Sequence, residues 1–551
     1  MHPANIDKES VRQLIDRQAE AHPDSVFLLD PQSQLEISYN QLQRQVRAIA
    51  QNIASKGLPH GASVAYAMSN GHCCAITLLG IMYGGYRAVA INLVAGRDII
   101  AYVLAHSQTQ LIMTLSEHLS LIEDAVQCEA FVNEGAPSAE SSAKSSVKSS
   151  VKSSTNSPAR LDDICVTNGP TVQCLDTQCI EQWGGDENSS PLHPVHADDD
   201  ALLMYTSGTT GKPKGVTLSH SNVIAGGRNV AAGHELSSQD RALCVLPLYH
   251  INGLCVTLFG PLVASGSLVI PGRFSTTAFW QLVDDYQCSW LSVVPTQIAY
   301  LLRDADNNES TKKPRPHLRF ARSASAPLSP DVHCSFEQRF NVPLIETMGL
   351  TETAAQILTN PLPPAARKPG SPGLPVGDEV IVADEFQQAL GADQEGELLV
   401  RGANVMQRYF RNEPATTQAL VAGGWLRTGD LGRKDKDGYL YITGRLKELI
   451  IKGGENIAPR EIDDALYQHA DVVEAAAFAC PCDNFGQRVE AAVVLKQGST
   501  LSEADLLATC TESVGRFKCP DRIHFFQELP KGPSGKIQRA RISELTGSPA
   551  D

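Results

Sequence analysis

The run Tyr205-Thr206-Ser207-Gly208-Thr209-Thr210-Gly211-Lys212-Pro213-Lys214-Gly215 decides how the rest of this sequence is interpreted. It follows directly on the apolar residues 201–204, which places it in a loop at the end of a predicted strand. Its glycines let a ligand approach the backbone, its hydroxyls and N–H groups can donate to phosphate oxygens, and its lysines add positive charge. The spacing is not that of a Walker A loop. As a bare pattern it is also typical of an ordinary mobile turn.

Seven further segments follow this loop. In chain order they are Pro247-Leu248-Tyr249-His250, Ser325-Ala326-Pro327-Leu328, Gly349-Leu350-Thr351-Glu352, Trp425-Leu426-Arg427-Thr428-Gly429-Asp430, Gly444-Arg445-Leu446-Lys447-Glu448, Gly453-Gly454-Glu455-Asn456-Ile457 and Pro530-Lys531-Gly532-Pro533-Ser534-Gly535-Lys536. Together with the loop they resemble, in the same order, the adenylate-forming (AMP-binding) superfamily of acyl-CoA synthetases, adenylation domains and luciferases. The resemblance covers most of the chain.

This resemblance implies a fold and a domain division. We expect an α/β protein with a large N-terminal domain, residues 1–444, whose mostly parallel sheets are flanked by helices. Residues 445–551 then form a small, mobile α+β domain that carries Lys536. The alternation of helical patterns at residues 11–21 and 39–56 with short apolar runs at 63–67, 111–114 and 244–246 independently favours an α/β fold.

The serine- and lysine-rich residues 137–158 interrupt the α/β pattern. Lys144, Lys148 and Lys152 repeat every four residues, where like charges disfavour a helix, so we expect a disordered surface insertion. The insertion precedes the phosphate loop and is expected to leave the chemistry untouched.

Composition excludes several classes of protein. The formal net charge of −15 argues against general binding of nucleic acid and against adhesion to anionic membranes. No apolar run is long enough to span a membrane, and the N-terminus lacks a signal-peptide layout, so a cytoplasmic location is expected. The 14 cysteines show no zinc-ligand spacing and are interpreted as reduced thiols, mostly buried. The oligomeric state cannot be deduced from the sequence.

The superfamily's chemistry requires positive charge at the reacting groups. A carboxylate attacks the α-phosphorus of ATP to give an acyl-adenylate, which brings two anions together, and a metal ion and cations stabilise the charge that develops. The implied co-substrates and cofactor are ATP, coenzyme A and Mg²⁺.

The resemblance assigns the nucleotide and metal residues. The phosphate loop contributes Thr206, Ser207, Gly208, Thr209, Thr210 and Lys214. The adenine is expected against Ser325, Ala326, Pro327, Met348 and Gly349, and the ribose against Asp430 and Arg445. Met348 stands where the family usually has an aromatic residue, which leaves the affinity for ATP open. The metal is assigned to Thr206 and Glu352.

The catalytic residues are assigned in the same way. They are Thr351 at the α-phosphate, Glu352, the active-site His250, the hinge residue Lys447 and Lys536, the cation that reaches the carboxylate during adenylation. Gly453 and Gly454 are expected to face the thiol after the small domain rotates. Without the resemblance, Thr351-Glu352 is typical of a helix start, Asp430 of a turn and Lys536 of a solvated loop.

The acid is predicted from a narrower resemblance. Segments around Arg273, Arg322 and Asn360 are similar to oxalate–CoA ligases, so a small anionic acid is expected. The candidate substrate residues are Asn252, Arg273, Arg322 and Ser323, although either arginine is equally typical of a surface ion pair. Asn252 and Ala355 stand where that branch has histidines, so malonate, a sulfonated acetate, or a medium-chain or aromatic acid also stay open. A nucleotide-binding protein without catalytic activity is the remaining alternative.

Overall fold

The computed structural model describes residues 8–128, 163–165, 170–175, 191–206, 212–305, 313–469, 471–532 and 537–547. The predicted insertion at 137–158 therefore lies outside the described residues. The first predicted helices are confirmed. The helix Val11–Ala21 begins at a capping box formed by Ser10 and Gln13. The helix Tyr39–Ser55 begins at another, formed by Ser38 and Gln41.

Two large mixed sheets, parallel at their centres, form the N-terminal part. The first has the strand order Leu374–Pro375, Ala355–Thr359, Leu344–Leu350, Phe320–Ser323, Trp290–Val293, Arg241–Cys244, Ser267–Val269, Val26–Asp30 and Leu35–Ser38. The second has the order Arg408–Tyr409, Lys214–Ser219, Asp200–Thr206, Arg87–Ala90, Ser63–Ala67, Thr109–Leu115, Thr171–Leu175 and Asp163–Cys165. Antiparallel pairs occur only toward the edges of each sheet.

Helices cover these sheets. His72–Tyr83 is buried along its whole length and belongs to an apolar cluster with residues of both sheets, such as Leu28 and Val64. The described α-helices are Val11–Ala21, Tyr39–Ser55, His72–Tyr83, Arg97–His106, Leu119–Val126, His220–Gly233, Gly260–Val263, Thr276–Asp285, Pro295–Arg303, Pro330–Phe340, Glu413–Ala419, Pro459–Tyr467, Glu503–Lys518 and Arg539–Leu545. Short 3₁₀ turns lie at Ser116–His118, Thr351–Thr353, Ala422–Gly424 and Leu446–Glu448, and a π-helix at Asn252–Phe259.

Two smaller sheets complete the chain. An antiparallel sheet contains Glu379–Ala383, Glu395–Arg401, Trp425–Lys434, Leu420–Val421 and Leu440–Arg445. The last sheet contains Glu455–Ile457, Ile450–Lys452, Gly486–Leu495, Val472–Cys482 and Arg522–Phe525, with its own apolar clusters. The expected α/β fold with a smaller C-terminal α+β part is confirmed.

Some local predictions need correction. The run 244–246 was expected to be a strand, but the strand Arg241–Cys244 ends at Cys244. The carbonyl of Leu246 instead accepts a hydrogen bond from the Asn70 side chain at 2.8 Å. Most of the described cysteines are buried and none is paired in a disulfide, whereas Cys334 is exposed. Among the described helices, none is long and apolar enough to cross a membrane.

Candidate active site

The adjacent parallel strands Phe320–Ser323 and Leu344–Leu350 end at the same edge of the first sheet. Beyond the first strand the chain turns through Ser325, whose φ of 74° is in the left-handed region. Ala326 and Pro327 follow in this turn. Beyond the second strand comes the 3₁₀ turn Thr351–Thr353. The predicted adenine turn and the predicted Thr-Glu pair are thus brought to one edge, where parallel sheets usually bind their ligands.

Close backbone packing fixes Gly349. A Cβ at this position would lie 1.8 Å from the carbonyl oxygen of Ala355, so no side chain is tolerated there. Next to it, Met348 is half-buried against the apolar cluster that contains Ile357 and Leu358. A thioether in this position can cover a ring face.

The predicted phosphate loop joins two antiparallel strands of the second sheet. Thr206 ends the strand Asp200–Thr206 and pairs in register with Lys214, the first residue of the next strand. The Lys214 ammonium lies 5.2 Å from the centre of the Tyr409 ring. The predictions for Ser207, Gly208, Thr209 and Thr210 fall outside the described residues.

Glu352 is held by groups distant in the sequence. Its Oε1 accepts a hydrogen bond from the Tyr409 hydroxyl at 2.8 Å, and its carbonyl accepts one from the backbone of Met406 at 2.7 Å. Burial, followed by the Glu352 charge, raises the pKa of Tyr409, which therefore stays a neutral donor. Within the described residues Oε2 accepts no hydrogen bond. An open carboxylate oxygen suits a hard divalent cation, so Glu352 fits the metal role predicted for it.

Asp430 and Arg445 form an ion pair. They stand opposite each other on the strands Trp425–Lys434 and Leu440–Arg445, and the Arg445 Nε donates to Asp430 Oδ1 at 2.6 Å. Asp430 is buried, and its charge is the main cause that raises the pKa of Arg445. Glu352 contributes to the same shift, so the predicted ribose and metal residues share one electrostatic environment.

The hinge residues lie directly after this pair. Lys447 is exposed in the 3₁₀ turn Leu446–Glu448. Gly453 and Gly454 connect the strands Ile450–Lys452 and Glu455–Ile457 with φ values of 62° and 88°, a turn that favours glycine.

Asn252 is the first residue of a π-helix and contacts the end of the strand Phe320–Ser323. His250 stands just before the π-helix Asn252–Phe259, next to Tyr249 with ring centres 4.9 Å apart. Such wide helical turns are often found at functional sites. The Asn252 Nδ2 donates to the Ser325 hydroxyl at 3.1 Å, while its Oδ1 faces Arg322.

Arg322 is a buried cation with neutral partners. Its Nη1 donates to Asn252 Oδ1 at 2.7 Å and to the Ser292 hydroxyl at 3.0 Å, and its Nε donates to Gln356 Oε1 at 3.2 Å. The residue is only 2% exposed, and burial lowers the pKa of its guanidinium to about 9. Within the described part of the chain no carboxylate pairs with Arg322, and no group accepts from its Nη2.

The other substrate candidates differ in position. Ser323 follows Arg322 and its hydroxyl is buried without a hydrogen-bond partner among the described residues. Arg273 is exposed and lines a shallow cavity of about 370 Å³ with Tyr300 and Arg303. It forms no described hydrogen bond with the Arg322 group, so the two arginines predicted together are not brought together.

Lys536 lies outside the described residues, but the base of its loop is described. Lys531 and Ile537 form an isolated β-bridge, and the Gln538 N–H donates to the Pro530 carbonyl at 2.8 Å. The Lys531 ammonium also pairs with Glu474 at 2.6 Å. The ends of the loop are therefore fixed by the small domain.

Sequence reasoning missed three residues of this region. Tyr409 holds Glu352, whereas Ser292 and Gln356 hold Arg322. None of them stands in a predicted motif. Only Gln356 was close to one, since it follows Ala355.

Comparison with known proteins identifies the family of the chain. Residues 15–410 match the family model "AMP-binding enzyme", and residues 461–536 match "AMP-binding enzyme C-terminal domain". The sulfoacetate–CoA ligase of Cupriavidus necator is 41% identical over 534 residues, which is 97% of each chain. The oxalate–CoA ligase of Arabidopsis thaliana is 39% identical over 352 residues, which is 63% of this chain and 68% of that one.

Solved structures share the fold across the whole chain. ATP-bound MatB from Rhodopseudomonas palustris superposes with a TM-score of 0.81 at 25% identity, covering 98% of this chain and 99% of that chain. MenE of Bacillus subtilis in complex with ATP and magnesium ion gives 0.76 at 26% identity, covering 96% and 98%. On its sequence, fold and site, the chain belongs to the AMP-binding enzyme family and is an ATP-dependent, AMP-forming acid–CoA ligase.

Proposed function

We propose that this ligase activates a two-carbon acid that carries a second negative charge, with sulfoacetate as the first candidate. The buried guanidinium of Arg322 is the observation that carries the proposal. Arg322 is 2% exposed, and the described groups that hold it are all neutral, so it lacks the counter-charge that normally accompanies a buried ion. A second anionic group on the acid would supply it.

The hydrogen bonds that Arg322 already forms show which of its donors the acid could use. Guanidinium has five N–H donors, and three of them are used by Asn252, Ser292 and Gln356. The two donors on Nη2 are left for an oxyanion. The next residue, Ser323, has a buried hydroxyl without a hydrogen-bond partner among the described residues.

Two positions favour sulfoacetate over oxalate. Asn252 offers an amide whose orientation is fixed by Arg322 and Ser325, and Ala355 leaves space where a histidine is expected in the oxalate branch. A sulfonate is larger than a carboxylate and has three oxygens, so it benefits from that space. The 41% identical relative named sulfoacetate–CoA ligase supports the same choice. Oxalate is the second candidate.

In the adenylation step the protein neutralises and orients the reactants. Lys214 and the loop after Thr206 would hold the β- and γ-phosphates, Thr351 would contact the α-phosphate, and Asp430 would accept from the ribose hydroxyls. Glu352 and Thr206 would hold Mg²⁺, which when bound neutralises phosphate charge. His250 borders the acyl pocket next to Asn252. Lys536 would bring a cation to the attacking carboxylate and the α-phosphate.

Thioester formation would use the other face of the small domain. We place the domain boundary between residues 444 and 445, directly before the exposed turn that contains Lys447. Rotation there would remove the Lys536 loop and bring Gly453 and Gly454 to the thiol of CoA. Glycines at that turn allow the close approach of an extended ligand.

A panel of acids tests the proposal. The purified protein is incubated with ATP, Mg²⁺ and CoA and with sulfoacetate, oxalate, malonate, acetate, octanoate or coumarate, and AMP, pyrophosphate and acyl-CoA are followed by mass spectrometry. Sulfoacetyl-CoA with stoichiometric AMP is the expected result. Turnover only with octanoate or coumarate would overturn the assignment of the acid and keep the ligase.

A further inference from the structure

We propose that Asp378 is a positioning residue that acts as a neutral carboxylic acid, whose proton bridges Asp378 to Asn404 and so holds the turn that carries Thr351 and Glu352. The structure places this residue beside the active site. Asn404 Nδ2 donates to the carbonyl of Thr353 at 2.8 Å, the last residue of that turn. The same Nδ2 donates to Asp378 Oδ2 at 2.9 Å.

Two acceptor atoms of this pair lack a described donor. Asp378 Oδ1 and Asn404 Oδ1 are both buried, and neither receives a hydrogen bond from a described residue. Both lie within 2.8 Å of the point where a Cβ on residue 402 would be, which is why position 402 is a glycine. A buried acceptor without a donor is costly, and a proton on the Asp378 carboxyl would supply one to this pair.

Rotating the amide does not remove the conflict. If the Asn404 oxygen and nitrogen were exchanged, its oxygen would face both Asp378 Oδ2 and the Thr353 carbonyl, which are acceptors as well. The observed orientation is therefore the better one. A proton on Asp378 Oδ1 satisfies both remaining atoms and closes a cyclic carboxyl–amide pair.

Among the described residues, no cation pairs with Asp378 to keep it ionised. Its Oδ2 accepts a second hydrogen bond from Asn229, a neutral residue, at 3.1 Å. Charged groups on the neighbouring elements have other partners, since Glu379 pairs with Arg401 at 2.6 Å and Arg228 with Glu9 at 2.7 Å. Glu352 is bonded to Tyr409. Burial accordingly raises the pKa of Asp378 to about 7.

The raised pKa of Asp378 makes the stability of the folded protein depend on pH. A carboxyl whose pKa is 3.8 in the unfolded chain and about 7 in the folded one contributes stability that is complete below pH 3.8. This contribution decreases as the pH rises and is lost above pH 7. Ionisation also removes the proton that bridges Asp378 to Asn404 and loosens the Thr351–Thr353 turn, so adenylation is expected to weaken over the same range.

Three variants test the role. Asp378→Asn reproduces the neutral acid, because its amide nitrogen can donate to Asn404 Oδ1. Asp378→Ala removes the pair, and Glu379→Gln neutralises the adjacent exposed carboxylate as a control. Acid-dependent ATP–pyrophosphate exchange and the thermal midpoint of the ligand-free protein are measured from pH 6 to 8.5. Taking the ratio to wild type at each pH cancels the ionisation of ATP.

We expect the exchange rate of D378N relative to wild type to rise about threefold or more between pH 6 and 8.5, since the neutral fraction falls about tenfold per pH unit above the pKa. The thermal midpoint of D378N relative to wild type should rise over the same pH range. D378A should have a lower exchange rate and a lower midpoint than wild type at every pH, and E379Q should match wild type in both. A constant ratio in both measurements, or a D378N as impaired as D378A, would overturn the proposal. The exchange measurement rests on the proposed function, because it needs the proposed acid as substrate. The thermal midpoint needs no substrate, so it tests the role of Asp378 even if the acid is wrongly assigned.

Discussion

At the scale of single residues, the candidate site depends on a few side chains whose partners are distant in the sequence. Tyr409 reaches Glu352 across 57 positions, and Arg322 reaches Asn252 across 70. Each contact orients a group that the sequence motifs already suggest. The side chains that orient the predicted residues are therefore as important to the site as the predicted residues themselves.

Tyr409→Phe is expected to slow adenylation about tenfold and to raise the Mg²⁺ concentration required for half-maximal rate. The change removes one hydrogen bond to a charged carboxylate, which is typically worth about 1.5–3 kcal/mol. ATP–pyrophosphate exchange across a magnesium titration measures both effects. Tyr286→Phe serves as the control, because its hydroxyl has no hydrogen-bond partner within the described residues. An unchanged magnesium dependence would separate Tyr409 from the metal role of Glu352.

Residue types with a strong local pattern were predictable. The Gly-x-Thr-Glu spelling indicated Glu352, and the structure places it in a turn at the sheet edge. The ranking of Arg273 and Arg322 was not predictable, because it is their burial in the folded chain that separates them. The same holds for Asp378, since its proton depends on Asn404, which comes close only in the folded chain.

At the scale of elements, a buried charge cluster joins the helix Pro330–Phe340 to the strand Leu344–Leu350. His333 Nδ1 is 2.9 Å from Glu346 Oε1, and its Nε2 is 3.5 Å from Glu337. Burial disfavours the imidazolium, but hydrogen bonds to Glu337 and Glu346 raise the pKa of His333. Burial also opposes ionisation of Glu337, yet bonds from His333, the Leu344 backbone and Arg367 lower its pKa to about 2.

These shifts predict a pH window for stability. The contribution of His333 is complete below pH 6.5 and is lost as the pH rises through its raised pKa. The contribution of Glu337 is present above pH 4.5 and is lost as the pH falls toward 2. The cluster is therefore most stabilising between these limits.

His333→Ala is expected to destabilise the large domain by about 3 kcal/mol at pH 6, because it removes the cation beside the buried Glu346. Thermal unfolding at several pH values measures this. The loss should shrink as the pH rises through the raised pKa of His333, because wild type then loses the imidazolium as well. The partly exposed His22, changed to glutamine, is the matched control, and an equal loss at every pH would contradict the assignment of charge.

Element boundaries were predictable where the local chemistry is complete. The helix Val11–Ala21 was found because its apolar residues share one face, and the structure adds a capping box of Ser10 and Gln13 at its start. The strand expected at 244–246 was wrong, because Asn70 competes for the Leu246 carbonyl from a segment 176 positions away. The π-helix Asn252–Phe259 has no such local signal.

At the scale of the whole molecule, the proposed mechanism divides the two half-reactions between two orientations of the small domain. Lys536→Ala is expected to abolish adenylation while largely sparing thioester formation from supplied acyl-adenylate. Single-turnover assays of each half-reaction measure this, with the exposed Lys496→Ala as control. Loss of both half-reactions would refute the role of Lys536, and loss of neither would remove it from the mechanism.

The central claim is that Arg322 receives the second negative charge of the acid, and one comparison tests it most directly. The values of kcat/KM for sulfoacetate and for propionate, which lacks the second charge, are measured in wild type and in Arg322→Met. We predict a loss of about 100-fold or more with sulfoacetate, equivalent to about 2.7 kcal/mol, and less than about threefold with propionate. Equal losses with both acids would show that Arg322 is structural and would contradict the account.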